Sequence, residues 1–268
     1  IEVLKAILFG VVEGITEWLP ISSTGHMILL DEFVKLNVSK EFLDLFLVVI
    51  QLGAILAVVV IYWNKLIPLS TKHGLHISRR KCKMWVKIIV ASIPAGVVGI
   101  LWDDVFTKYF YNYQTVAIML ILVGVVFIII ERSNKNKIAK IDSIDDISYG
   151  QAFLIGVFQM IAAIFPGTSR SGSTIVGSLM LGISRTAAAE FTFFLAVPAM
   201  FGGSAIKILK YSGGFNSAEV ALLAIGMIVA FVLSIIAIKF LMSYIKKHDF
   251  KVFGWYRIIL GIAVIGYF

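Results

Sequence analysis

Glu13 and Glu17 sit four residues apart in an otherwise apolar run, Gly10-Val-Val-Glu-Gly-Ile-Thr-Glu-Trp-Leu-Pro-Ile-Ser-Ser-Thr-Gly-His26. On a helix that spacing puts both carboxylates on one face. A second run, Gly156-Val-Phe-Gln-Met-Ile-Ala-Ala-Ile-Phe-Pro-Gly-Thr-Ser-Arg-Ser-Gly172, carries Arg170 in equally apolar surroundings. A charge at membrane depth costs about 2.5–3.5 kcal/mol even on a lenient insertion scale, so the three together cost on the order of 8–10 kcal/mol. That sum rivals the stability of a whole domain, and charges so placed pair with one another or bind an ion. One account is a structural salt bridge from the acids to Arg170. The functional account makes Glu13 and Glu17 oxygen ligands of a hard divalent cation such as Mg²⁺, which keeps several waters and shares its shell with substrate phosphates.

Beyond Pro20 stand Ser22, Ser23, Thr24 and His26. Helix capping accounts well for Ser22 or Thr24. It does not account for His26, which follows Ser23 by three residues and shares its face if a helix restarts there. A hydroxyl beside an imidazole is the minimal activated nucleophile, although the Ser-x-x-His spacing alone is common. The second run ends in Pro166-Gly-Thr-Ser-Arg-Ser-Gly-Ser-Thr174, a hydroxyl- and glycine-rich turn opening a helix. Amides at a helix start bind phosphate, glycine permits close backbone approach, and Arg170 offers bidentate contacts to phosphate oxygens. A capping turn with a snorkelling arginine is the plainer alternative. Carboxylates for a metal, a serine near a histidine and an arginine–hydroxyl cradle together suit phosphoryl transfer.

The elements that carry these residues are copies of one another. At an offset of 146, seven of the 18 positions from Ala6 to Ser23 are identical: Ala6/Ala152, Leu8/Leu154, Gly10/Gly156, Val11/Val157, Ile15/Ile161, Pro20/Pro166 and Ser23/Ser169. Chance would give roughly one or two. Gln159 stands where the first copy has Glu13, so only one copy supplies the acids. An internal duplication with hydrophobic segments broken at matching places points to a membrane protein whose site lies between its halves.

Composition agrees. The chain is 59% hydrophobic and 15% charged, with a mean hydropathy of +0.95, against about 25% charged residues in a soluble domain. An all-α polytopic membrane protein follows. The net charge of +8 comes from basic loops between apolar segments and does not indicate nucleic acid. The single cysteine, Cys82, excludes an intramolecular disulfide and a cysteine-based zinc site, and lies in a basic stretch. A cleaved signal peptide is not expected at the start, because Glu13 and Glu17 interrupt the apolar run.

Six segments are long enough to cross a bilayer: 43–64, 85–102, 113–131, 187–209, 218–244 and 252–268. The linker 65–87 holds Lys65, Lys72, Arg79, Arg80, Lys81, Lys83 and Lys87 without an acid, which places it in the cytoplasm; 132–148 and 245–251 are basic too and fall on the same side. The stretches 31–44, with Asp31, Glu32, Glu41 and Asp44, and 103–112, with Asp103 and Asp104, belong outside. This alternation requires 149–184 to enter and leave on one side, and by the repeat 1–40 does so from the other. Each half is then one re-entrant helical hairpin plus three spans, and the odd number inverts the second half. We therefore expect one integral membrane domain of two inverted repeats, about 1–131 and 149–268, joined by the linker 132–148. Pro20 and Pro166 mark the hairpin breaks, and such backbone survives at membrane depth only inside protein or against a water-filled cavity.

Other polar residues read more simply. Gln51 and Glu190 suit interhelical hydrogen bonds. Gly10 and Gly14 form a small-xxx-small pair for close helix packing. Trp63, Trp85, Trp102, Tyr109 and Tyr111 fit an interfacial belt. Gly202, Gly203 and Gly261 suit helix contacts, those of a homodimer included.

The run Glu13-Gly-Ile-Thr-Glu17-Trp-Leu-Pro-Ile-Ser-Ser-Thr-Gly-His26 together with Pro166-Gly-Thr-Ser-Arg-Ser-Gly-Ser-Thr174 closely resembles the bacterial undecaprenyl-pyrophosphate phosphatase family, whose members confer bacitracin resistance. The resemblance extends over the whole chain and includes Gln51-Leu-Gly-Ala-Ile-Leu-Ala. It implies a multi-pass enzyme of the bacterial cytoplasmic membrane that removes the terminal phosphate of undecaprenyl pyrophosphate and so recycles the lipid carrier for peptidoglycan. It also implies a divalent cation, Mg²⁺ or Ca²⁺, and a site reached from the outer face. By motif position Ser23 would be the nucleophile and His26 its base or positioning group. Glu13 and Glu17 would serve the metal, and Arg170 would bind the pyrophosphate. Ser22, Thr24, Ser169, Ser171 and Thr174 are the candidate phosphate donors. The lipid comes from the resemblance alone; the residues themselves reach only phosphoryl transfer in a membrane cavity. The rival reading is a transporter or flippase of a phosphorylated lipid or anion in the same cavity, since inverted repeats with broken helices are also a transporter architecture. A nucleophile beside a metal-type acid pair favours the enzyme, because transport needs none.

Overall fold

A computed structural model describes residues 1–70 and 76–268; Lys72 lies outside them. The architecture is all-helical: α1 (Glu2–Thr16), α2 (Ser23–Phe33), α3 (Lys40–Ile61), the single turn α4 (Trp63–Leu66), α5 (Arg79–Phe110), α6 (Tyr113–Asn134), α7 (Tyr149–Ile164), α8 (Arg170–Met180), α9 (Arg185–Lys210), α10 (Ser217–Tyr244) and α11 (Lys251–Tyr267). A two-residue antiparallel pair, β1 (Leu69–Ser70) with β2 (His76–Ile77), lies between α4 and α5. A 3-10 turn, Ile144–Asp146, precedes α7.

Helix starts follow the polar punctuation. Ser39, Asn112 and Ser184 cap α3, α6 and α9 by accepting from the backbone amide three residues on. Ser148 with Gln151, and Asn216 with Glu219, form reciprocal capping boxes on α7 and α10. One helix, α5, outruns the expectation at both ends. The basic residues from Arg79 to Lys87 ride on the first turns of α5 rather than in a loop, and Cys82 goes with them. At its other end α5 continues through 103–110, so little more than Tyr111 and Asn112 joins it to α6. The acids of 31–44 likewise sit on helix ends, because α2 runs to Phe33 and α3 opens at Lys40.

Among the described residues, five helices are long and apolar enough to cross a membrane: α3, α5, α6, α9 and α10. The chain is a multi-pass membrane protein. The sixth expected span is α11, whose 17 residues rise about 25 Å at 1.5 Å each, less than the roughly 30 Å of a hydrocarbon core.

Packing interlocks the two halves of the chain. α1 lies along α10, α7 along α5, α6 along α11, and α3 touches both α9 and α10. Gly10 and Gly14 allow the first of these: a Cβ on either would come within 2.7 Å of the carbonyl oxygen of Gly226 or Ala230 in α10. Gly124 in α6 and Gly254 in α11 face each other's carbonyls in the same way. Gly261 is spent inside the protein too, against Ala117 and Ile121 of α6, whereas Gly202 and Gly203 have open space where a side chain would be. Glu131, almost wholly buried, joins three helices by accepting from Arg185 of α9 and from the amide of Phe250 at the start of α11. Glu190 has an ion-pair partner, Lys65.

Substituting Gly14→Leu forces α1 away from α10. Overpacking of this kind costs about 1–3 kcal/mol, and the expected outcome is a lower midpoint of thermal unfolding in detergent than for wild type.

Candidate active site

Both broken helices stop before a proline and restart on a serine held in left-handed backbone. α1 ends at Thr16 and α2 begins at Ser23, with Ser22 at φ 75° as its cap, accepting from the amide of Gly25. α7 ends at Ile164 and α8 begins at Arg170, with Ser169 at φ 70° accepting from the amide of Gly172. The caps show a register change that counting at offset 146 misses. Pro20 matches Pro166, yet Ser22 is the counterpart of Ser169 because the second tip holds one residue more. Ser23 and Arg170 are therefore equivalents: each is the first residue of its restarted helix. The extra residue is accommodated by Gly167 at φ 88°, pressed so close to Val116 that a Cβ would lie 2.6 Å from that carbonyl oxygen.

The tips meet at Glu17. One of its carboxylate oxygens accepts from the Ser23 hydroxyl at 2.5 Å, and the other accepts from Arg170 Nη2 at 2.8 Å. Arg170 also lies 5.9 Å from the ring centre of the buried Trp18, a cation–π distance, and donates to the carbonyl of Thr192. Edge-on packing by Phe193 holds Trp18 in turn. These groups face a cavity of about 220 Å³. Glu17, Ser23, Thr24, Ser169, Arg170 and Ser171 form its polar wall, and Val48, Ala162, Ala199, Met200 and Gly203 form the apolar one.

Glu13 lies beneath, 1% exposed, beside Glu17; its Oε1 has no hydrogen-bond donor among the described residues, and neither has Oε1 of the buried Gln159. Three expected site residues point elsewhere. His26 does not hydrogen-bond Ser23: Nδ1 is 2.7 Å from the Ser22 carbonyl and Nε2 is 2.7 Å from the Tyr256 hydroxyl, with the two rings stacked. A carbonyl only accepts, so Nδ1 carries the proton and Nε2 of the neutral ring accepts from Tyr256. The reason is helical phase, since α2 turns His26 toward α11 while Ser23 faces α1. Ser22 is buried as a cap. Thr174 is fully buried, bonded to the Arg170 carbonyl and the Thr192 hydroxyl, and takes no part in the cavity wall. Ser171 lines the cavity with its hydroxyl engaged across the tips, donating to the carbonyl of Glu17 at 3.2 Å.

Three residues of the site escaped the sequence reading. Gln51, read from the sequence as an interhelical hydrogen-bonder, lines the cavity; a polar residue in an apolar span was its signal. Ser204 lines it as well, donating to the Val48 carbonyl. Arg257 is completely buried behind both tips, and its charge within an apolar segment was the same sign that singled out Arg170.

The sequence profile of the family described as "Bacitracin resistance protein BacA" matches residues 6–263. The chain belongs to this family. Among BacA-family relatives, it is 64% identical over all its 268 residues, and 96% of the relative, to a protein of Desulfitobacterium hafniense named undecaprenyl-diphosphatase. It is 62% identical over all of the chain, and 98% of the relative, to undecaprenyl-diphosphatase 1 of Clostridium acetobutylicum. It is 58% identical over 99% of the chain, and 96% of the relative, to an undecaprenyl-diphosphatase of Enterococcus faecalis.

A Gly167→Ala variant of this BacA-family chain meets both a left-handed backbone and the Val116 carbonyl, so the second tip must shift. A displacement near 1 Å costs about 10²-fold in a positioned reaction. The expected outcome is a loss of phosphate release of that order, measured on protein that still elutes as one species.

Proposed function

We propose that this chain is a phosphatase that cleaves undecaprenyl diphosphate to undecaprenyl phosphate and inorganic phosphate, recycling the carrier for peptidoglycan synthesis. The observation that carries the reading is Glu17 bonded at once to a hydroxyl and a guanidinium at the wall of one cavity. The substrate follows from the name borne by relatives at 58–64% identity. A carrier or flippase has no use for a hydroxyl held on a carboxylate.

The chemistry runs through this chain's own groups. Arg170 binds the diphosphate oxygens. Ser23 Oγ attacks the terminal phosphorus in line and its proton passes to Glu17, the acceptor already in contact. The bond from that phosphorus to the bridging oxygen breaks, and undecaprenyl phosphate leaves with the electron pair. Water then attacks the phosphoserine. Glu17 returns its proton to Ser23 Oγ as the phosphorus–Oγ bond breaks, and the water's oxygen departs in inorganic phosphate with one proton released to solvent. His26 acts by position: its bonds to the Ser22 carbonyl and to Tyr256 fix the first turn of α2, and with it Ser23. Thr24 and Ser169 remain as phosphate donors from the cavity wall.

The acid pair fits a divalent cation, Mg²⁺ or Ca²⁺, because a buried carboxylate oxygen without a donor adjoins a second carboxylate. Glu13 and Glu17 would hold it, and when bound it neutralises charge on phosphate oxygens. Among the described residues no cluster of three or more His, Cys, Asp or Glu surrounds them, so water and substrate complete such a shell.

In this reading α1–α2 and α7–α8 are re-entrant hairpins of two inverted repeats. α11 is the sixth crossing, shortened within the tolerance of a locally thinned bilayer, and the cavity opens on the outer face of the bacterial cytoplasmic membrane. Support comes from the loop charges and from the exchanged pairing, in which α1 lies on α10 as α7 lies on α5.

The test is phosphate release from undecaprenyl diphosphate by detergent-purified protein, with and without EDTA. Losing a positioned base costs about 10²–10⁴-fold, the range expected for Glu17→Gln; Ser23→Ala is expected to abolish turnover, and EDTA to suppress it. A Ser23→Ala variant that keeps most of its kcat would rule out the phosphoserine route.

A further inference from the structure

Arg257 of α11 is fully buried and donates to five backbone carbonyls, with no carboxylate among its partners in the described residues. Two of those carbonyls, Met119 and Leu120, belong to α6 and anchor the guanidinium at 3.4 Å. The other three belong to the broken tips. Nη1 reaches Pro20 of the first tip at 3.3 Å, and Nη2 reaches Gly167 and Thr168 of the second, each at 2.8 Å. Pro20 lies three residues before Ser23, and Thr168 lies two before Arg170.

The surroundings are cut to admit this group. Gly124 and Gly254 bring α6 and α11 together at the root of Arg257. At its head, a Cβ on Gly172 in the first turn of α8 would stand 3.1 Å from Nη1. The planar fork has five donors diverging from one rigid plane, which is what three separate backbone segments require. A lysine ammonium is a single point and cannot span them.

We infer that Arg257 is a positioning residue that sets the separation of Ser23 and Arg170 by holding both tips on one guanidinium. The inference rests on the roles proposed above for those two residues. Arg257 itself does not line the cavity, so it acts through the tips. Its charge is solvated by carbonyl dipoles, with no carboxylate among its partners in the described residues.

The experiment compares wild type, R257K, R257Q and S23A as full-length protein in detergent. It records kcat and KM on undecaprenyl diphosphate, together with hydrogen exchange of peptides covering 17–25 and 165–172, with α3 and α10 as references. For R257K, which keeps the charge and most of the stem and so carries the test if R257Q does not fold, kcat is expected to fall about 10²-fold while KM moves less than about threefold. Exchange is expected to rise about tenfold at both tips together, with α3 and α10 unchanged. Unaltered kcat with both tips still protected overturns the inference. A uniform rise in exchange also overturns it, since Arg257 would then serve general stability. If S23A is as active as wild type, the assignment of Ser23 has failed instead, and the paired exchange of the tips still decides whether Arg257 holds them.

Discussion

Backbone that breaks inside an apolar protein must find its hydrogen-bond partners within that protein, because hydrocarbon supplies none. The rest of this structure answers that demand. α1 and α7 both stop short, and the carbonyls they free are taken up by side chains from elsewhere in the chain. Arg257 serves Pro20, Gly167 and Thr168, and Ser171 of the second tip reaches the carbonyls of Glu17 and Leu19 in the first. Ser22 and Ser169 accept from the amides of the restarted helices. The first tip is thus completed in part by the second, Arg257 holds both, and the cavity lies where they meet.

Within this frame Glu17 settles the electrostatics. A lone carboxylate so buried would be costly, and the Arg170 guanidinium offsets it through a charge-assisted hydrogen bond. The structural salt bridge and the functional site are therefore not alternatives. The same contact that makes the charges tolerable leaves the second oxygen of Glu17 free to hold Ser23, and it presents the guanidinium at the cavity wall. Among the described residues Oε1 of Glu13 has no such donor, and the cation proposed above would complement it.

Much of this was legible beforehand, for a physical reason: charged and hydroxyl residues in apolar sequence are expensive, so their presence reports function. That criterion found Glu13, Glu17 and Arg170 directly. It also picked out Gln51, read there as an interhelical hydrogen-bonder, and it covers Arg257, whose charge stands in an equally apolar segment. The family resemblance added the substrate, which no residue spacing encodes. What spacing misjudged was phase. Ser23 and His26 seem paired on paper, yet α2 turns one toward Glu17 and the other toward Tyr256. The one-residue difference between the tips was invisible for a similar reason: identity at offset 146 holds through the proline, and only the caps show where the register slips. The helix ends of α5 were not legible from hydropathy, because it keeps helical geometry beyond its apolar stretch at both ends.

The contact of α1 with α10 also bears on biosynthesis. Gly14 meets Ala230, so α1 packs against a segment made more than 200 residues later, and α7 lies instead on α5, from the half already made. Glu17 is made about 150 residues before its partner Arg170, and α1 earlier still than the surface of α10 that its glycines fit. Neither half supplies both faces of this contact by itself, and a chain truncated before α10 would pair Glu17 with Arg170 yet leave the glycine groove of α1 unfilled.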